Sequence, residues 1–128
     1  MAHVSLIEEA EATGKVKEIY EDIKRFWGIP YVPNSLKAMG HNPEYLEANW
    51  NRIKVVLRPQ ALDERTVELI GFVVATLNHC PYFVDTTATG LKRMGFSERD
   101  LLDIMAVVEM FDGLNRFTNG LAISVKLD

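Results

Sequence analysis

The segment from Val67 to Leu77 limits the possible folds of this chain more than any other. Val67, Leu69, Ile70, Phe72, Val73, Val74 and Leu77 put apolar side chains on nearly every side of a helix. Asp63 precedes it, where a carboxylate can cap the open amides of Glu64 to Thr66. Asn78 and His79 then break the pattern, and Pro81 suits the first turn of another helix running to Met94 before Gly95. A helix apolar nearly all round has to be covered on several sides. It is therefore expected to be the most buried helix of the chain and the first arm of a helical hairpin hinged at Asn78 to Pro81.

The remaining segments carry the same period. Val16, Ile19, Tyr20, Ile23, Phe26 and Trp27 recur at steps of three and four, which predicts a helix from Gly14 to Trp27 that Gly28 ends. Ile29 to Asn34 contains Pro30 and Pro33 and reads as an extended connector, followed by a short helix over Ser35 to Met39. Asn42 before Pro43 pairs an N-cap with a first-turn proline, and Leu46, Trp50, Ile53 and Leu57 continue the face as far as Pro59. Ser97 with Asp100 resembles a capping box leading into Leu101, Leu102, Ile104, Met105 and Val108. Gly113 is expected to bend or interrupt that helix before a further apolar face over Leu114 to Val125. Strand alternation and repeats of 20 to 50 residues are both absent, so the expected class is all-α, in one domain over residues 1–128.

Composition removes several functions. With 128 residues, 48% hydrophobic and 25% charged, one core suffices without metal or disulfide staples. Cys80 is the single cysteine, so no intrachain disulfide forms, and with three histidines and no clustered ligands no metal site is expected. Fourteen Lys and Arg against eighteen Asp and Glu give a charge of -4 with no basic patch, which argues against a nucleic-acid partner. The apolar run Leu69 to Leu77 is broken by Gly71 and Thr76 and is far below the roughly 20 residues of a membrane span. Met1 to Ala10 turns acidic at Glu8 and lacks the pattern of a secretory signal, so a cytoplasmic location is expected. No GxGxxG, P-loop or HExxH motif occurs, and no cofactor is expected.

Three residues are candidates for chemistry. Cys80 falls at a helix N-terminus, where backbone amides favour the thiolate and make an electrophile-reactive site; the alternative is a structural cysteine packed as a small hydrophobe. His79 beside it is either a base or positive neighbour, or a turn residue on the surface. Glu68 lies within the most apolar helix. It is either buried, and then a general acid or base, or on an exposed stripe with Glu64. Tyr82, Thr86 and Thr87 complete the polar set without a catalytic signature of their own.

Leu62 to Ile70, Ala75 to Asp85, Gly90 and Gly95 to Glu98 together resemble the core of the carboxymuconolactone decarboxylase family. The likeness is narrower to its alkylhydroperoxidase D-like, peroxidase-related branch, and Val32-Pro33-Asn34, His41 to Leu46 and Asn115-Arg116 extend it over most of the chain. The resemblance implies a helical subunit in a homo-oligomer, trimeric or hexameric. It also implies a glutamate preceding a Cys-x-x-Cys-x-x-x-His motif, whose two thiols cycle through a disulfide. Glu68 takes the glutamate position and Cys80 the first cysteine, but Phe83 stands at the second cysteine and Thr87 at the histidine. In a hairpin turning near His79, Glu68 would lie opposite Thr87 to Leu91, roughly 16 Å from Cys80. Phe83 cannot resolve a sulfenic acid on Cys80, so a two-thiol cycle is not available within one chain.

Three functions follow as expectations. The first is a peroxidase-related antioxidant in which peroxide oxidises Cys80 and an external thiol reduces it, with His79 or Tyr82 assisting. The second is a lactone decarboxylase-like enzyme using Glu68 for proton transfer. The third is a non-catalytic oligomer that binds a small ligand in the former active-site pocket or has no small-molecule role at all.

Overall fold

The computed structural model describes residues 2–125; Met1 and residues 126–128 lie outside the described residues. Six helices run in the order α1 Gly14–Trp27, α2 Asn34–Met39, α3 Pro43–Val56, α4 Glu64–Leu77, α5 Pro81–Arg93 and α6 Glu98–Gly120, and the described residues contain no strand. The fold is all-α. The chain forms two compact units that divide between Gln60 and Ala61.

In the first unit, the face expected from the period of α1 is the face that is buried. Val16, Ile19, Tyr20 and Ile23 meet Val32 and Leu36 together with Leu46 and Trp50 of α3. Gly28 closes α1 in the left-handed region at φ 64°, a backbone conformation costly for any side chain, and its N–H reaches the Lys24 carbonyl. Asn42 caps α3, its side chain accepting from the Tyr45 amide at 3.1 Å. Phe26, Trp27 and Trp50 meet edge to face, with ring centroids 5.1–6.0 Å apart. The Trp50 indole donates to Asp22 at 2.7 Å, and Lys54 reaches the same carboxylate at 2.9 Å. Those donors hold the Asp22 carboxyl down at about 2, with the indole hydrogen bond the largest cause.

The second unit is the hairpin of α4 and α5 followed by α6. Asp63 caps α4 through the Thr66 amide at 2.7 Å. The capping box of α6 closes in both directions, with Asp100 N–H on Ser97 Oγ at 3.1 Å and Ser97 N–H on Asp100 Oδ2 at 2.8 Å. Between α4 and α5 the chain reverses in a tight turn. The Asn78 N–H returns to Val74 O, the Cys80 N–H returns to Ala75 O, and His79 sits at φ 53°.

Two expectations change here. The most apolar helix is not the most buried, because α4 buries only Phe72 and Ala75 while Ile70, Val74 and Leu77 stay about half exposed. Its fourteen residues pack closely along α5 on one side only, and α6 leaves a groove beside another. Gly113 does not interrupt α6, which runs unbroken to Gly120. A glycine costs an exposed helix interior about 1 kcal/mol and here asks for no unusual dihedral, so the helix continues through it. No residue of α6 is buried.

Candidate functional site

Glu68 and Gly71 of α4 face α5, and Phe72 and Ala75, at the same helical spacing, are buried. Gly71 faces Thr87, since a Cβ built on it would meet the Thr87 methyl at 3.4 Å. Gly90 faces Glu68, since a Cβ there would lie 2.9 Å from Glu68 Cδ and 3.3 Å from its Cγ. The Glu68 carboxyl thus lies close against α5 at Gly90. It makes no hydrogen bond or ion pair among the described residues, and burial raises its pKa above the ordinary glutamate value. Glu64, one turn earlier, is exposed. The two carboxylates therefore do not share a solvent stripe.

Thr87, at the position of the family's histidine, is buried, and its hydroxyl donates back to the Phe83 carbonyl one turn earlier. A hydroxyl committed in this way satisfies itself inside the helix. Phe83 itself is half exposed, its ring edge-on to Tyr82 at 5.0 Å.

Cys80 is the N-cap of α5, partly exposed and free, and its side chain makes no capping hydrogen bond. Its carbonyl accepts from Val84 at 2.9 Å, which starts the helix. His79 is exposed at the tip of the turn. His79 and Cys80 are neighbours in the turn. Glu68 is not among them: it touches Gly90, ten residues along α5 from Cys80, which at about 1.5 Å per residue is roughly 15 Å.

Sequence reasoning missed two features. One is Gly90, which the helical period ranks as an ordinary interior glycine and only the seam shows to be the floor under Glu68. The other is a groove of about 420 Å³ between α4 and α6, walled by Leu69, Val73 and Leu77 on one side and Ile104, Val108 and Phe111 on the other, with Asp112 and Asn115 at its polar edge. The spacing of Asp112 and Asn115 on an otherwise apolar stripe was its only sequence signal. Asp112 is paired with Arg116 at 3.4 Å. The described residues hold no group of three or more His, Cys, Asp or Glu arranged for a metal ion, and no helix among them is long and apolar enough to cross a membrane.

The chain is all-helical, with Glu68 on one arm of a tight hairpin and Cys80 at its turn. Residues 43–125 match the model of the carboxymuconolactone decarboxylase family, which takes in α3 and most of the second unit, and the chain belongs to that family. Its fold is that of the alkylhydroperoxidase AhpD core from Rhodospirillum rubrum, with a TM-score of 0.91 and 26% identity over 98% of this chain and 95% of that one. The chain is also 25% identical over 120 residues to a (R)-2-haloacid dehalogenase of Pseudomonas putida. That match takes in 94% of this chain but only 39% of the relative, so the chain spans about two fifths of that protein's length.

Proposed function

We propose that this family member works through Glu68 in acid–base chemistry on a small organic acid, and that the reaction asks nothing of a thiol. The observation that carries this reading is the setting of the carboxyl: partly buried, unpaired, and raised by burial alone. A carboxylate retained for folding would be paired, because unpaired burial costs free energy and returns none. A carboxyl that holds its proton above the usual range is better suited to act as a general acid or base than an ordinary solvated one. The substrate class is supported by the relatives: carboxymuconolactone and 2-haloacid both denote small carboxylated molecules. The experiment is turnover of carboxylated lactones and 2-halo acids by the wild type, Glu68→Gln and Cys80→Ser. The reading expects activity lost in the first variant and kept in the second. The opposite pattern overturns it.

One observation favours a second reading, a peroxidase-related antioxidant. Cys80 is a free, partly accessible thiol at the N-terminus of a thirteen-residue helix, in a fold shared with an alkylhydroperoxidase core. Peroxide would oxidise the thiolate to a sulfenic acid, with release of the alcohol or water, and two external thiols would return it to the thiol as their own disulfide. With Phe83 in the resolving position, the reductant must come from outside the chain.

For either chemistry we place the chain in a homo-oligomer, a trimer or hexamer as in the family it resembles. The surface of α6 supports this. Phe111 is 61% and Phe117 60% exposed, and Met110, Leu114 and Leu121 are exposed to a similar extent. With Ile70, Val74 and Leu77 of α4 these amount to on the order of 800 Å² of apolar surface, about what one partner contributes to a stable interface.

A further inference from the structure

We propose that Gly90 is a positioning residue for Glu68: by withholding a Cβ, it leaves the shelf on which the Glu68 carboxyl rests, partly screened from water and free of partners. The inference deepens the acid–base reading of Glu68 and rests on it for its functional meaning, although the placement itself is a matter of geometry. A Cβ on position 90 would fall within 2.9 Å of Glu68 Cδ and closer still to Oε1. Real Cβ atoms do not approach so closely, so any other residue would displace the carboxyl. The Glu68 side chain is flexible and only partly buried, so it can yield by moving off the helix. In a helix interior glycine is among the poorest formers, and Gly90 has no positive φ that would ask for it. The three atoms nearest to a Cβ there all belong to the Glu68 side chain.

The other small residue of the seam serves as a control. At Gly71 a Cβ would meet only the Thr87 methyl, at 3.4 Å, an ordinary contact that leaves Glu68 untouched. Charge offers no competing account of the carboxyl's state. Glu64 and Arg65 on α4, and Lys92 and Arg93 on α5, add nothing to the raised value, whose cause is burial. Arg65 is turned away, stacked 4.3 Å over the Phe96 ring and bonded to the Met94 carbonyl.

The test is a carbon-detected NMR titration of the Glu68 carboxyl in the wild type, Gly90→Ala and Gly71→Ala, with helix content followed by circular dichroism. The expected result is a titration above the ordinary glutamate range in the wild type and in Gly71→Ala, moving down toward that range in Gly90→Ala with helix content unchanged. A folded Gly90→Ala protein whose Glu68 titrates as in the wild type overturns the proposal, as does a wild-type Glu68 that titrates in the ordinary range. If Gly90→Ala does not fold, the double variant Glu68→Ala with Gly90→Ala decides. The proposal requires it to fold, because the clashing carboxyl is gone, and an unfolded double variant refutes it. Failure of the acid–base reading is separable from all of this. A Glu68 that titrates as expected in a protein that turns over no organic acid leaves Gly90 in its role and removes the chemistry.

Discussion

Asp22 is the charged group most tightly engaged with the first unit's core, and replacing it with asparagine has a cost that the structure lets one work out. The carboxylate accepts from the buried Trp50 indole at 2.7 Å and from Lys54 at 2.9 Å, and these donors lower its pKa from 3.8 to about 2. At about 1.4 kcal/mol per unit such a shift would be worth roughly 2.5 kcal/mol in a sheltered site. The Asp22 side chain is 35% exposed, so solvent screening brings this to about 1 kcal/mol. The substituted amide would still offer an oxygen to the indole, and the variant should lose about that 1 kcal/mol at pH 7. A lowered carboxyl stabilises fully above the unfolded value and loses that contribution as pH falls through the folded value. The deficit should therefore be constant down to about pH 4, shrink below it, and vanish near pH 2. Urea unfolding followed by tryptophan fluorescence should show a midpoint about 0.5 M lower for Asp22→Asn at pH 7, with the two proteins converging in acid. A deficit of the same size at pH 2 and pH 7 refutes the electrostatic account and leaves only packing.

Glu68 carries the opposite sign: its raised pKa contributes stability below the ordinary carboxylate range that is lost as pH rises through the raised value. Glu68→Gln should therefore be more stable than wild type at pH 7 and no different at pH 3, by the same urea assay. Wild type should give little two-thiol peroxidase turnover, and Phe83→Cys with Thr87→His should form a Cys80 disulfide and recover part of it. Because Phe83 is half exposed its loss should cost about 1–2 kcal/mol, and a histidine pressed against Gly71 a further 1–3 kcal/mol, so helix content must be measured beside turnover. Sedimentation at micromolar concentration should show an oligomer, which Phe111→Glu with Phe117→Glu should dissociate; a wild type sedimenting only at 14.5 kDa excludes the assembly.

The helices were legible because their ends are local chemistry. Asn42, Asp63 and the Ser97–Asp100 pair each bond amides within their own first turn, and Gly28 adopts the left-handed dihedral within its own residue. The burial of α4 was not legible, since apolar side chains all round a helix say that it wants cover without saying whether the same chain supplies it. Nor was Gly113 legible as a continuing residue, because a sequence shows the cost of a glycine but not the bonds on either side that outweigh it. At the site, the register that sets Glu68 opposite Thr87 to Leu91 followed from counting residues back from the turn. The roll of α4 about its axis did not. It depends on how closely the two arms approach, and that is decided by Gly71 and Gly90, whose missing side chains leave no periodic signal.

The register, rather than the roll, separates the two chemistries proposed for the hairpin. A proton passing between Glu68 and Cys80 would have to travel roughly 15 Å along the seam, beyond any direct hydrogen bond. The natural middle station is position 87, where Thr87 already donates its hydroxyl to the Phe83 carbonyl and does not titrate in the working range. Groups so far apart with no shared partner act independently, and changes to them combine additively. The carboxyl's environment is set by Gly90 and burial, the thiol's by the turn and the first amides of α5, and neither setting passes through the other. The proposed acid–base reaction asks only for the Glu68 carboxyl, whereas a reaction that needs a thiol assisted by that acid has no titratable link at positions 83 and 87. On that physical ground acid–base chemistry at Glu68 stands ahead of peroxide reduction at Cys80.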